Sequence, residues 1–206
     1  MSHVRVVTTT LTALFVSGYV VSAAVAAADG SAEFSPSKID SVLVTSKDVE
    51  SLGVGFAETS TDTSDPDRGF PDPGNPCQVA GSTTPMDGFT AFRRVEFDSY
   101  SNFTVAEAVA VYPSSDDAKA VILRFVDNAN RCGTAGKQFF HADNSQMAWS
   151  FPTSNEAGEY TGNVSAWNVQ AVDNVVVFAT SQRHENGVVL SEKIAGLTAQ
   201  RVRDAG

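Results

Sequence analysis

Hydrophobic positions along the chain change their spacing several times, and each change marks an element. Leu11 to Ala28 is almost continuously apolar and uncharged, follows Arg5, and closes on Ala24-Val25-Ala26 and Ala26-Ala27-Ala28. Such a run enters a bilayer favourably because no charge has to be desolvated. Its small-x-small exit fits signal peptidase. About 18 residues would barely cross a ~30 Å hydrocarbon core. Residues 1–28 are therefore read as a cleaved signal peptide, with an uncleaved anchor as the alternative, and 29–37 as a polar tether.

From Lys38 the pattern turns helical. Ile39, Val42 and Leu43 cover one face of a short turn, and Thr45 with Asp48 forms a capping box for a second helix ending at Leu52, before Gly53. Glu58 to Cys77 is rich in Ser, Thr, Asp, Pro and Gly, with too little apolar surface to offset ordering, and reads as a long acidic loop. Phe89–Tyr100 alternates Ala91, Val95 and Phe97 against Phe92, Arg94, Glu96 and Asp98, the mark of a half-exposed strand. Phe103–Tyr112 places Phe103, Val105, Val109 and Val111 on one face and small Ala106, Ala108 and Ala110 on the other.

Ser114 and Asp117 form a second capping box. Ala118, Ile122, Phe125, Ala129 and Cys132 then recur at helical spacing. Strands are predicted at Gln138–His141, Met147–Phe151, Val164–Val172 and Val175–Gln182, with a polar loop over Pro152–Gly162 and a tight turn at Asp173-Asn174. A last helix spans about Val188 to Arg203. This order predicts an α+β domain over residues 38–206, with a central, mainly antiparallel sheet, helices packed on one face, and one disulfide.

Composition narrows the setting. The 206-residue chain carries a formal charge of -10, which argues against a nucleic-acid partner. A membrane partner is expected only if the leader is uncleaved. Cys77 and Cys132 are the only cysteines, and an even pair in an exported chain points to one bridge. Closing that loop would contribute roughly 4 kcal/mol.

Candidate chemistry is sparse. No Gly-x-Ser-x-Gly elbow, zinc pattern, phosphate loop or nucleotide fingerprint occurs. Asp62, Asp65, Asp67 and Asp72 lack the EF-hand pattern and read as a solvated loop. His141 with Asp143, and His184 with Glu185, are short polar pairs better explained by solvent exposure than by catalysis. Glu96, Asp98 and Glu107 could meet across two strands as a carboxylate pair, but charges on a wet sheet face explain them more simply. Catalytic residues, metal ligands and cofactors are accordingly expected to be none. Trp149 and Trp167, in an aromatic second half with Phe139, Phe140 and Phe151, are the candidate ligand-cleft residues; core packing is the competing explanation.

Pro76-Cys77, the passage Val105-Ala-Glu-Ala-Val-Ala-Val-Tyr-Pro-Ser-Ser-Asp-Asp-Ala118, Arg131-Cys132 and the hairpin Val169–Val177 occur here in a characteristic order. On these stretches the chain resembles the extracellular sensor domain family of the mycobacterial serine/threonine kinase PknH, as a stand-alone exported member. The resemblance implies a sheet with helices against it, a cleft for an unidentified ligand, and no catalytic activity. It also implies that Cys77 and Cys132 form one of the family's two disulfides. The second pair is missing here, and a tryptophan often found three residues before the helix-ending cysteine is replaced by Ala129. The expected function is a secreted or cell-envelope sensor-type domain binding a small-molecule or envelope-component ligand. A structural or protein-interaction module of the envelope is the alternative, and a secreted hydrolase the second.

Overall fold

Val105 to Val111 is apolar at every position but one, and Val175 to Ala179 at every position. Strands of that kind must be covered on both sides, and they form the centre of the sheet. The computed structural model describes residues 33–53, 60–63, 87–99, 103–132, 138–143, 145–154 and 158–206; for 60–63, 128–132, 138–142 and 160 only the backbone is described. The leader and most of the acidic loop lie outside these residues.

Seven strands are present among them: β1 Ser60–Thr63, β2 Ala91–Asp98, β3 Thr104–Val111, β4 Gln138–Ala142, β5 Gln146–Ser154, β6 Tyr160–Val172 and β7 Val175–His184. They form one sheet in the order β1-β2-β3-β7-β6-β5-β4, and every neighbouring pair is antiparallel. The helices are α1 Ile39–Val42, α2 Ser46–Ser51, α3 Ser115–Cys132 and α4 Gly187–Ala205, and Pro36–Lys38 is a 3-10 turn. Helix α3 carries the chain from the central β3 to the far edge at β4. The strands β4 to β7 then return as a meander until β7 pairs with β3.

The first face of the sheet packs Val105, Val109, Val111, Val175 and Val177 against α1, α2 and α4, through Ile39, Val42, Val49, Ile194 and Val202. The second face packs Ala108, Ala110, Val176 and Phe178 against Ala118, Val121, Ile122 and Phe125 of α3. The helices of the first face lie where they were expected; α3 departs by crossing to the other side. The small alanines of β3 are the reason, because they let a helix approach the sheet closely.

Two further expectations change. The expected disulfide is corrected: none occurs among the described residues, and Cys77 and the side chain of Cys132 lie outside them. Residues 60–63 were expected in the loop but pair with β2, from Ser60 opposite Phe97 to Thr63 opposite Arg94. The β5–β6 hairpin also reaches further into Pro152–Gly162 than expected. The capping box of Thr45 forms, with Thr45 accepting from the Asp48 amide and Asp48 from that of Thr45; Ser114 acts as an N-cap, its Oγ accepting from the Asp117 amide and donating to the Asp117 carboxylate. Asp173 takes the positive φ of the tight turn, at 50°.

Asn174, beside it, has another task. Its Oδ1 accepts from the Phe34 amide at 2.7 Å, and its Nδ2 donates to the Phe34 and Tyr112 carbonyls at 3.1 and 2.9 Å. This buried amide fastens the start of the domain to the turn between β6 and β7. Asn174→Ala leaves three buried backbone groups unpaired and should cost about 2–4 kcal/mol. Urea unfolding should show a lower midpoint with an unchanged slope, and an unaltered midpoint would contradict the role.

Candidate functional site

Cross-strand register places Glu96, Ala106, Thr180, Trp167 and Trp149 in one row on the second face. The adjacent row holds Arg94, Ala108, Phe178, Val169 and Met147. The tryptophans, 3% exposed, stack at 6.0 Å with 6° between their planes. Phe151 stacks on Trp167 at 4.6 Å, and Phe125 of α3 meets Trp149 at 6.1 Å. At the other end of the rows Arg94 pairs with Glu96.

This wall has an unusual polar property. Trp149 Nε1, Trp167 Nε1, Thr180 Oγ1 and Arg94 Nε are all buried without a hydrogen-bond partner. Three of these atoms can only donate, and the threonine hydroxyl can donate or accept. Asn168 Nδ2 and Ser181 Oγ are also unpaired, but the register puts both on the first face. Folded interiors rarely leave such groups unpaired, because each costs about 1–3 kcal/mol. Four such atoms lie on neighbouring rows, while the Glu96 carboxylate of the same row accepts from Arg94 through Nη2.

A separate cleft of about 240 Å³ opens where α2 ends and α4 begins. Leu52, Gly53, His184, Glu185, Asn186, Val189, Leu190 and Lys193 line it. His184 is fixed there by accepting from the Asn186 amide at Nδ1, 3.0 Å, and by an edge-on contact with Phe103 at 4.8 Å.

The carboxylates considered together in the sequence are kept apart. Glu96 faces the second side, Asp98 accepts from the Thr104 hydroxyl at 2.9 Å, and Glu107 points to the first side. Glu107 is not on a wet surface but 1% exposed. It accepts from the Val44 amide at 2.8 Å and from the Thr198 hydroxyl. The side chain of His141 lies outside the described residues. Among those residues no cluster of three or more metal-ligating side chains occurs. Nor is any helix among them long and apolar enough to cross a membrane.

Sequence reasoning missed the burial of Glu107 and the roles of Thr180 and Arg94. Only the first left a signal: Glu107 shares the spacing of Val105 and Val109, and so sits in the middle of an apolar face.

The sheet carries helices on both faces, and among the described residues the tryptophan row holds unpaired donors and no catalytic set is assembled. The chain belongs to the PknH-like extracellular domain family, whose model matches residues 34–204. By this membership it is an exported sensor-type domain of the extracytoplasmic envelope or its surroundings. No curated protein matches it. Among solved structures it is similar to the extracellular domain of PknH from Mycobacterium tuberculosis, with a TM-score of 0.63 and 16% identity. That similarity covers 84% of this chain and 98% of the other, and at this identity it is a likeness of fold.

Burial raises the Glu107 carboxyl from 4.5 to about 7, against the lowering effect of Thr198, the Val44 amide and Arg201. The folded state therefore holds this proton more tightly than the unfolded chain does. Its contribution to stability is full below about pH 4.5 and is lost as pH rises through 7. Glu107→Gln keeps an acceptor for Val44 and cannot ionise. Between pH 4.5 and 8 the unmodified protein should lose roughly 3 kcal/mol more than the variant. Urea unfolding at both pH values checks this, and parallel losses would contradict it.

Proposed function

We propose that this chain is a ligand-binding sensor domain whose ligand engages the second face at Trp149 and Trp167. The unpaired donors of Trp149, Trp167, Thr180 and Arg94 carry this reading. A complementary ligand brings acceptor oxygens to that row and an apolar or ring-bearing body to the stack of Phe151, Trp167 and Trp149. Residues 1–28 act as the export signal, and the tether expected over 29–37 gives way to the folded domain at Phe34, which is buried in its core.

The interaction-module reading has less support. The large exposed hydrophobics among the described residues are Leu123 on α3 and Val189 on α4, on opposite sides of the sheet, which is not a broad apolar patch.

Native mass spectrometry of protein recovered from its own culture medium tests for a copurifying ligand. Fluorescence titration with envelope lipids, sugars and peptidoglycan fragments follows. Saturable quenching is expected, and Trp167→Phe, which keeps an aromatic face but removes the N–H, should weaken binding about tenfold or more. No copurifying ligand and no saturable response would overturn the reading, as would an affinity unchanged in Trp167→Phe.

A further inference from the structure

We propose that the cleft at the junction of β7 and α4 is a second binding site, for a small carboxylate carrying a short apolar chain. It lies among the helices of the first face and uses none of the tryptophan-side donors. Its chemistry is amphipathic. Leu52, Val189 and Leu190 supply an apolar wall, and Val189 is 48% exposed there. Lys193 makes no ion pair among the described residues, so an ammonium group stands available at the rim. Because Nδ1 of His184 accepts from the Asn186 amide, the neutral ring carries its proton on Nε2, which remains as a donor. The one lining acid, Glu185, is turned to the Asn186 side chain, 3.5 Å away. One cation and one fixed donor beside apolar side chains suit a carboxylate head with a hydrocarbon tail.

The local backbone holds these groups in place. Arg183 adopts φ 61°, and its amide donates to Ser165 Oγ at 3.2 Å beside a bulge between Val164 and Ala166. Gly187 follows where a Cβ would sit 2.9 Å from the Val164 carbonyl oxygen. This tight passage fixes His184 against the first turns of α4. A strained residue flanking a cleft is a common companion of ligand sites.

The cleft, of about 240 Å³, is small, so hexanoate, a short-chain carboxylate, serves as the first probe. The same carboxylate chemistry occurs in a short acyl chain and in an apolar amino acid, so N-acetyl-leucine serves as the second probe.

The test is an amide and imidazole NMR titration of the full chain with sodium hexanoate, N-acetyl-leucine and 1-hexanol. At least one carboxylate should shift His184, Gly187 and Val189 saturably, the tighter one identifying the source, while 1-hexanol should not. Lys193→Gln, at an exposed position, should melt with the unmodified protein and bind at least tenfold more weakly. Equal binding of 1-hexanol, unchanged affinity in Lys193→Gln, or no saturable shift would overturn the proposal. Shifts confined to the tryptophan indoles would also overturn it, while leaving the tryptophan-side reading intact.

Discussion

Glu107 is the point at which the parts of the first face meet. Helices of four and six residues, such as α1 and α2, have no stability of their own in water. They persist because the chain between them is held from below and beside. The Val44 amide donates to Glu107, and Arg201 of α4 donates to the Leu43 carbonyl and Asp48, each at 2.7 Å. Thr198 brings α4 to the same carboxyl. A group so buried would be costly without these partners. With them it fixes the register of sheet, N-terminal segment and C-terminal helix at once.

The second face is built on a different principle. Its packing under α3 is apolar, with Ala108, Ala110 and Phe178 meeting Ile122 and Phe125. One row further along, the same face changes to two indole N–H groups, the Thr180 hydroxyl and Arg94 Nε, none of which has a partner, beside the Arg94–Glu96 ion pair. The polar groups of the first face include a satisfied network that holds the fold together. On the second face four buried polar atoms stay unpaired, at a cost to stability, and the functional reading is placed there.

Much of the architecture was legible in the sequence because its signals are local. The pairs Thr45–Asp48 and Ser114–Asp117 cap the helices they were expected to cap, alternation located β2 and β3, and apolar runs flanking the Asp173-Asn174 turn located β6 and β7. Long-range features were not legible. The burial of Glu107 depends on Thr198, 91 positions away, and the bonds of Asn174 to Phe34 span 140. Strands apolar on both sides do not reveal which side a given helix will take, and so α3 was misplaced. In β1, Ser60–Thr63 has the composition of a loop and becomes a strand only because β2 offers an open edge. Trp149 and Trp167 were singled out for their rings, yet it is their unpaired N–H groups, visible only in the packed structure, that carry the functional argument.

The chain contains two tryptophans, so a proton–nitrogen correlation spectrum has two indole signals and no others of that kind. In free protein both should lie at positions typical of indoles without a hydrogen bond, and exchange slowly because they are buried. On addition of whatever copurifies with the exported protein, both should move downfield together and saturate at one equivalent. Indole signals already at hydrogen-bonded positions in the ligand-free protein, and unmoved by that addition, would contradict the assignment of the tryptophan row as the ligand site.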